Sequence, residues 1–144
     1  MPYATIVAPI DIHDPASGQL AVDKVRFLAN AGGGSVHLLH VTISLPTRLS
    51  HYMRAEFERE ARREAMAELA SYRDRLALPE DRVTLSVRQG RVASEVLTEA
   101  EARGADLLVI GAHQPNVIGR LLGTNATIIV RDAQIDVLVA REPK

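Results

Sequence analysis

Apolar residues cluster in five short runs along the chain, each rich in Val, Ile and Leu. Several runs are continuous rather than alternating with polar residues, which is typical of strands buried on both faces of a parallel sheet. The predicted strands cover residues 4–10, 35–41, 83–87, 106–110 and 136–140. Helical periodicity between them predicts helices at about residues 17–31, 51–76, 92–103 and 124–132. This alternation predicts an α/β sandwich of three layers, with helices on both faces of the sheet.

The second predicted helix has the clearest amphipathic pattern. Apolar residues recur every three or four positions and are predicted to form its buried stripe: Phe57, Ala61, Ala65, Leu69, Tyr72 and Leu76. Charged residues are predicted to form the opposite side: Arg54, Glu58, Arg62 and Arg73. The run EFEREARRE mixes both signs of charge, so we interpret it as a solvated helix face and not as a contact with nucleic acid.

Composition narrows the class of protein. A chain of 144 residues predicts one domain, residues 1–144. The formal net charge of -1 provides no long-range attraction to nucleic acid or to an anionic membrane, so neither is expected as a partner. The absence of cysteine excludes disulfides and thiol catalysis and fits a reducing compartment. Since no apolar stretch approaches the roughly 20 residues of a membrane span and the N-terminus is unlike a signal peptide, we expect a cytoplasmic protein.

The candidate chemistry concentrates in GAHQPNVIGRLLGTNA, residues 111–126, directly after the fourth predicted strand. In an open parallel sheet, ligands bind beyond the carboxyl ends of the strands. Gly111 allows a close backbone approach, and Gly123-Thr124-Asn125 opens a predicted helix whose first N–H groups suit phosphate. The stretch is either a pair of backbone clamps around a phosphate chain or a plain connection in which Thr124 or Asn125 caps the helix. It contains neither a Walker A motif nor a dinucleotide glycine motif.

Five segments of the sequence bear on its family. One is the loop that begins at Gly111 and closes with Gly123-Thr124. The other four are TIVAPIDIHD, VHLLHV, QGRVASEVLTEAEARGADLLVIGAH and LLGTNATIIVRDAQIDVLVAR. Together they resemble the universal stress protein family over essentially all 144 residues. The family's nucleotide motif is Gly-x-x-Gly, nine residues, then Gly and Ser or Thr. Here Gln114 replaces the second glycine and the spacer 115–122 is shorter, as in an enteric-bacterial branch of the family.

The resemblance implies a Rossmann-like fold, similar to the adenine nucleotide alpha hydrolases, with a sheet of strand order 3-2-1-4-5. It implies that the chain binds ATP or a related adenine nucleotide, with Mg²⁺ sharing the phosphate oxygens, and acts as a sensor or regulator in the stress response. It also implies a homodimer in which the last strands, residues 136–140, pair antiparallel. Two alternatives stay open: a slow ATPase or autophosphorylating protein, and a nucleotide-free interaction protein, with which the Gln114 departure is compatible.

The resemblance also implies a set of nucleotide-binding residues. The adenine and ribose end is assigned to Pro9, Ile10, Asp11 and Val41. The ribose and phosphates are assigned to Gly111, Ala112, His113 and Gln114 in a first clamp, and to Gly123, Thr124 and Asn125 in a second clamp. Asp11 has an alternative interpretation as an N-cap or turn residue that opens the first helix.

The histidines are further candidates for chemistry. His113 could donate to a phosphate or serve as an acid-base or phosphoacceptor group, but the sequence indicates no carboxylate partner for it, so no catalytic residue is assigned. His37 and His40 are three apart on a predicted strand and are expected on opposite faces of the sheet, as structural residues. No metal-ligand set is predicted.

Overall fold

The structure is a computed structural model that describes residues 3–46, 48–113 and 123–143. Gln114 and the spacer 115–122, on which part of the sequence-based prediction depends, lie outside these residues. In the described part of the chain, no helix is both long enough and apolar enough to cross a membrane.

The helices and strands follow the predicted alternation. The strands are β1 Thr5–Pro9, β2 Ser35–Thr42, β3 Val83–Gln89, β4 Leu107–Ala112 and β5 Asp136–Arg141. The helices are α1 Pro15–Gly32, α2 His51–Leu76, α3 Val92–Ala102 and α4 Thr124–Asp132, with a short 3₁₀ turn, Glu80–Arg82, before β3. α1 begins two residues earlier than predicted because Asp14 is its N-cap and Pro15 its first residue, a combination that favours helix initiation.

The sheet is parallel, with strand order β3-β2-β1-β4-β5, which confirms the predicted order. From β1 the chain moves outward to β2 and β3, and then returns to the other side of β1 for β4 and β5. The direction of winding therefore reverses between β1 and β4. Ligands in open α/β sheets bind at such a reversal, beyond the carboxyl ends of the strands.

Two hydrophobic cores flank the sheet and produce the three layers. α1 and α2 cover one face, where Ile6 and Leu38 are fully buried. α3 and α4 cover the other face, where Val7 and Leu39 are fully buried. Successive strand residues point to opposite faces, so the continuous apolar runs fill both cores.

The phase of α2 differs from the prediction in its first half. Ala65 and Leu69 are buried as predicted, but Phe57 is 50% exposed. At about 100° per residue, Arg54 lies within about 20° of the direction of Ala65, whereas Phe57 lies about 80° away. Phe57 was therefore wrongly placed in the buried stripe, and Arg54, which is partly buried, was wrongly placed opposite it.

The physical reason is that α2 extends past the sheet. Glu58 Oε1 accepts a hydrogen bond of 2.9 Å from the side chain of Gln89, the last residue of β3. The first two turns of α2 consequently lie beyond the carboxyl end of β3, where there is no apolar sheet surface for Phe57 to cover.

Candidate functional site

The loop after β1 is a tight turn that leads into α1. Asp11 Oδ1 accepts from the N–H of His13 at 2.9 Å, and the Asp11 carbonyl accepts from the N–H of Asp14 at 3.0 Å. Asp14, not Asp11, caps α1 by accepting from the N–H of Ser17. Asp11 thus has the turn role that was its alternative interpretation. Its side chain remains exposed at the carboxyl edge of the sheet, where it can also face a ligand.

The end of β4 is fixed against the first turn of α1. A Cβ atom placed on Gly111 would lie 1.9 Å from the carbonyl oxygen of Ser17, so only glycine fits at this position. Two residues on, the N–H of His113 donates to Ser17 Oγ at 3.1 Å, and Ser17 Oγ donates to Asp14 Oδ2 at 2.7 Å. The close approach predicted for Gly111 is therefore an approach to α1. It also holds the backbone of the first clamp in place.

The residues assigned to the adenine end line the ends of β1 and β2. Ile10 is 2% exposed and packs into the core beneath α1 and α2. Its N–H donates to the Leu39 carbonyl at 2.7 Å, and its own carbonyl accepts from His40 Nδ1 at 2.8 Å. Val41 is 8% exposed and packs into the opposite core, while Pro9 is partly buried. These side chains are largely buried beneath the carboxyl edge of the sheet and form little of its exposed surface.

The second clamp is the N-terminus of α4. Gly123 is the N-cap, and its carbonyl accepts from both the N–H and the hydroxyl of Thr127, each at 2.9 Å. The alternative in which Thr124 or Asn125 caps the helix is therefore wrong. No side chain of the described residues caps α4, and both Thr124 and Asn125 are exposed. A helix N-terminus is suited to an anion, because its first N–H groups lack partners within the helix.

His113 has a carboxylate partner that the sequence did not reveal. Its Nδ1 is hydrogen-bonded to Glu142 Oε1, and Glu142 is the first residue after β5. The two residues are 29 positions apart, so spacing along the chain gives no signal. The register of the sheet would have given one, since Ala112 is paired with Arg141 and the next residues along both strands are His113 and Glu142.

A second, buried polar cluster connects β2, β3 and α3. His37 is 1% exposed, with Nδ1 2.6 Å from Thr84 Oγ1 and Nε2 2.8 Å from Ser86 Oγ. Glu99 is 6% exposed and accepts from Ser86 Oγ at 3.2 Å. Its carboxylate also accepts from Arg103 at 3.0 Å and from Arg88 at 3.3 Å. The sequence did not predict that Glu99 is buried.

Burial and charge shift the pKa values in this cluster. Burial lowers the pKa of His37 from 6.5 to about 4; Arg103 lowers it further and Glu99 partly compensates. Burial alone would raise the pKa of Glu99, but hydrogen bonds from Arg103 and Arg88 outweigh it and lower the pKa. His37 is therefore neutral and Glu99 ionised near neutral pH. His37 faces α3 whereas His40 faces the α1 side, which confirms that the two histidines lie on opposite faces.

Within the described ranges, no group of three or more His, Asp or Glu side chains is placed to hold a metal ion. Bound nucleotide phosphates can themselves supply most ligands of a magnesium ion, so a shared metal needs few protein ligands. The described geometry thus consists of one exposed carboxylate, one histidine–glutamate pair and one helix N-terminus without a described side-chain cap, all at the same edge of the sheet.

Comparisons with known proteins agree with this architecture. The model of the universal stress protein family matches residues 2–141. Universal stress protein G of Escherichia coli O157:H7 is 35% identical over 142 residues, which cover 96% of this chain and 99% of that protein.

Solved structures with less sequence identity share the fold. The hypothetical protein MJ0577 superposes with a TM-score of 0.82 at 23% identity, over 100% of this chain and 99% of that one. A universal stress protein in complex with cAMP has a TM-score of 0.73 at 24% identity, over 99% and 100%. A universal stress protein family protein of Arabidopsis thaliana with AMP bound has a TM-score of 0.67 at 15% identity, over 97% and 92%. The chain belongs to the universal stress protein family.

Proposed function

We propose that the chain binds an adenine nucleotide, ATP or a close relative, at the carboxyl edge of the sheet where the winding reverses between β1 and β4. The observation that carries this proposal is the N-terminus of α4, which no described side chain caps and which lies at the same edge as the end of β4. Helix N-termini with unpartnered N–H groups are general anion sites. Two structural neighbours from the same family hold adenine nucleotides, cAMP and AMP, which supports the same ligand class here.

The proposed residue roles divide the site into two ends. The adenine and ribose contact Pro9, Ile10, Asp11 and Val41. The phosphates contact Gly111, Ala112, His113, Gly123, Thr124 and Asn125, with Mg²⁺ bound mainly by phosphate oxygens. Gln114 belongs to the same proposal, although it lies outside the described residues. Because the Ile10 and Val41 side chains are buried, their proposed contacts are through backbone atoms and the apolar floor.

Calorimetry with Mg-ATP and with adenosine tests the proposal, together with mass spectrometry of small molecules released by denaturing freshly purified protein. We expect a released adenine nucleotide and a binding heat with Mg-ATP. Gly123→Val should abolish binding because its side chain intrudes on the phosphate end. Ala102→Val is the matched control, since this exposed residue ends α3 at the opposite edge of the sheet. No heat at millimolar Mg-ATP and no released nucleotide would contradict the proposal.

The biological role proposed is that of a cytoplasmic stress-response sensor or regulator, formed by one domain of residues 1–144. β5 is an edge strand with partly buried Val137 and Val139, which supports a homodimer through residues 136–140. Analytical ultracentrifugation should find a dimer that the double substitution Val137→Lys/Val139→Lys converts to a monomer. Circular dichroism must then show the same helix content, because these side chains also contact the core.

A second candidate function is slow ATP hydrolysis or autophosphorylation. The His113–Glu142 pair favours it, because a carboxylate that orients an imidazole is common in acid-base and nucleophilic sites. Mass spectrometry after incubation with ATP decides: neither a modified peptide nor ADP above the blank would exclude it. In the third alternative, a nucleotide-free interaction protein, Gly123→Val would change nothing that the protein binds.

A further inference from the structure

We infer that Glu142 is a positioning residue of the nucleotide site, which holds the His113 imidazole so that its Nε2 donates to a phosphate oxygen. The inference rests on the proposed nucleotide site. Glu142, in the segment that follows β5, thereby has a role in binding. In the first clamp, the phosphate contacts the imidazole of His113 rather than backbone N–H groups.

The backbone N–H of His113 already has a partner within the protein. In a phosphate clamp made of backbone, this N–H would point at the ligand. Here it donates to Ser17 Oγ at 3.1 Å, and Ser17 is in turn fixed by Asp14 at 2.7 Å. Gly111 and Ala112, the two preceding residues, lie in the ladder with β5. At the end of β4, the imidazole is therefore the remaining group of His113 that can donate a hydrogen bond to a phosphate.

The imidazole of His113 is held through one of its two nitrogens. An ionised carboxylate only accepts hydrogen bonds, so the bond to Glu142 places a proton on Nδ1 of His113. Nε2 lies across the ring, directed away from Glu142 and β5, and no described residue bonds to it. The side chain is 25% exposed, so Nε2 can be reached by a ligand. Among the described charged residues, Asp14 is linked to the backbone of His113 through Ser17, and Arg141 is paired in the sheet with Ala112.

Donation from Nε2 to a phosphate requires a second proton on the His113 ring. With one proton on Nδ1, a neutral imidazole presents a lone pair at Nε2, which repels a phosphate oxygen. When a phosphate binds, Nε2 takes a proton from the solvent, and the imidazolium then donates from both nitrogens, to Glu142 and to the phosphate. Hydrogen bonds between ions are roughly twice as strong as neutral ones, which favours this state. No covalent bond forms or breaks, and the proton returns to the solvent when the nucleotide leaves.

Isothermal titration calorimetry of the full chain tests the inference, with ATP and adenosine in two buffers of equal pH but different heats of ionisation. We expect wild type to take up protons on binding ATP but not adenosine. Glu142→Gln and His113→Gln should each weaken ATP binding roughly tenfold, as expected for one ionic hydrogen bond, and reduce the proton uptake. Neither substitution should alter adenosine binding, and Glu142→Asp should recover part of both losses. Glu101→Gln is the matched control, because Glu101 is exposed near the end of α3 at the opposite edge.

The inference is overturned if Glu142→Gln binds ATP with the affinity and proton uptake of wild type. Absence of any nucleotide binding by wild type contradicts the proposed function instead, and a second measurement then decides about Glu142. Nitrogen-15 spectra of the ligand-free protein should show the Nδ1–H form of His113 in wild type and a mixture of tautomers in Glu142→Gln. Identical spectra would exclude a positioning role for Glu142.

Discussion

Two histidine–glutamate pairs in the described part of the chain combine the same residue types in different surroundings. His37 and Glu99 are buried between the sheet and α3, whereas His113 and Glu142 lie at the carboxyl edge. The Ser86 hydroxyl donates its one proton to Glu99, so it must accept from His37 Nε2. His37 therefore has its proton on Nε2 and accepts at Nδ1 from Thr84, the reverse of the tautomer of His113.

The difference separates a structural pair from one that is available for binding. Both ring nitrogens of His37 have protein partners, and Glu99 has three donors besides, so the buried cluster has no bond left for a ligand. At the edge, one nitrogen of His113 is bonded and the other faces away from its partner. The same residue pair in a sequence can therefore have either function, and only the surrounding donors and acceptors distinguish the two.

The largest effect expected from the buried pair is a dependence of stability on pH. The folded pKa of His37 is about 4 and the unfolded value is 6.5, so between these values the unfolded chain binds a proton that the folded chain does not. The contribution of His37 to the free energy of unfolding is therefore fully present above about pH 6.5. It is lost as the pH falls toward 4, by about 3 kcal/mol in total.

Urea unfolding at several pH values measures this loss. Glu99, whose pKa is lowered, contributes its own loss only below its unfolded value of 4.5. The interval from pH 6.5 down to about 5 consequently separates the effect of His37 from that of Glu99, with an expected loss of about 2 kcal/mol. In His37→Gln the slope over this interval should disappear. An equal slope in that variant would show that another group causes it.

Removal of the buried carboxylate is expected to have the next largest effect. Glu99→Ala leaves Arg88, Arg103 and the Ser86 hydroxyl without their shared acceptor. Loss of a buried ionic partner costs several kcal/mol, but both arginines are partly exposed, so we expect a decrease in unfolding free energy of about 2 kcal/mol. Chemical denaturation at neutral pH measures it. Glu101→Ala on the exposed side of the same helix is the control and should change stability by less than about 0.5 kcal/mol.

A smaller effect is expected from the hydrogen bond that fixes the His37 tautomer. Thr84→Val keeps the shape of the side chain but removes the hydroxyl that donates to Nδ1, 2.6 Å away. An unsatisfied acceptor next to a buried ring should cost about 1 kcal/mol. Denaturation gives this value, and nitrogen-15 spectra of the ring report whether the proton stays on Nε2. If the Nδ1–H form appeared as the main species, our assignment of the Ser86 proton would be wrong.

Periodicity and topology made most of the fold predictable from the sequence. Continuous Val, Ile and Leu runs identified the strands, and the resemblance to a family of known topology implied their order. The phase of α2 was wrong at Phe57 because periodicity does not tell where a helix extends past its sheet. The sequence also predicted a close backbone approach at Gly111, but not that the neighbour is Ser17.

The sequence predicts at which edge of the sheet the candidate site lies, but not which side chains contact one another. The position of Asp11, Gly111 and Gly123 at one edge of the sheet follows from topology alone. The Glu142 partner of His113 depends on the register between β4 and β5, and the burial of Glu99 depends on how α3 packs. His113 and Glu142 are 29 positions apart, and the burial of Glu99 depends on packing between separate elements, so local sequence patterns carry no information about either.

The smallest effect on stability is expected for Glu142→Ala, which removes the exposed carboxylate of the His113–Glu142 pair. The Glu142 side chain is more than half exposed, and an exposed ion pair contributes at most about 0.5 to 1 kcal/mol. We therefore expect a change in unfolding free energy below about 0.5 kcal/mol, against about 2 kcal/mol for Glu99→Ala. Parallel denaturation of both variants is the measurement. A loss at Glu142 as large as that at Glu99 would mean that the edge pair stabilises the fold, and the distinction between a structural pair and a binding pair would fail.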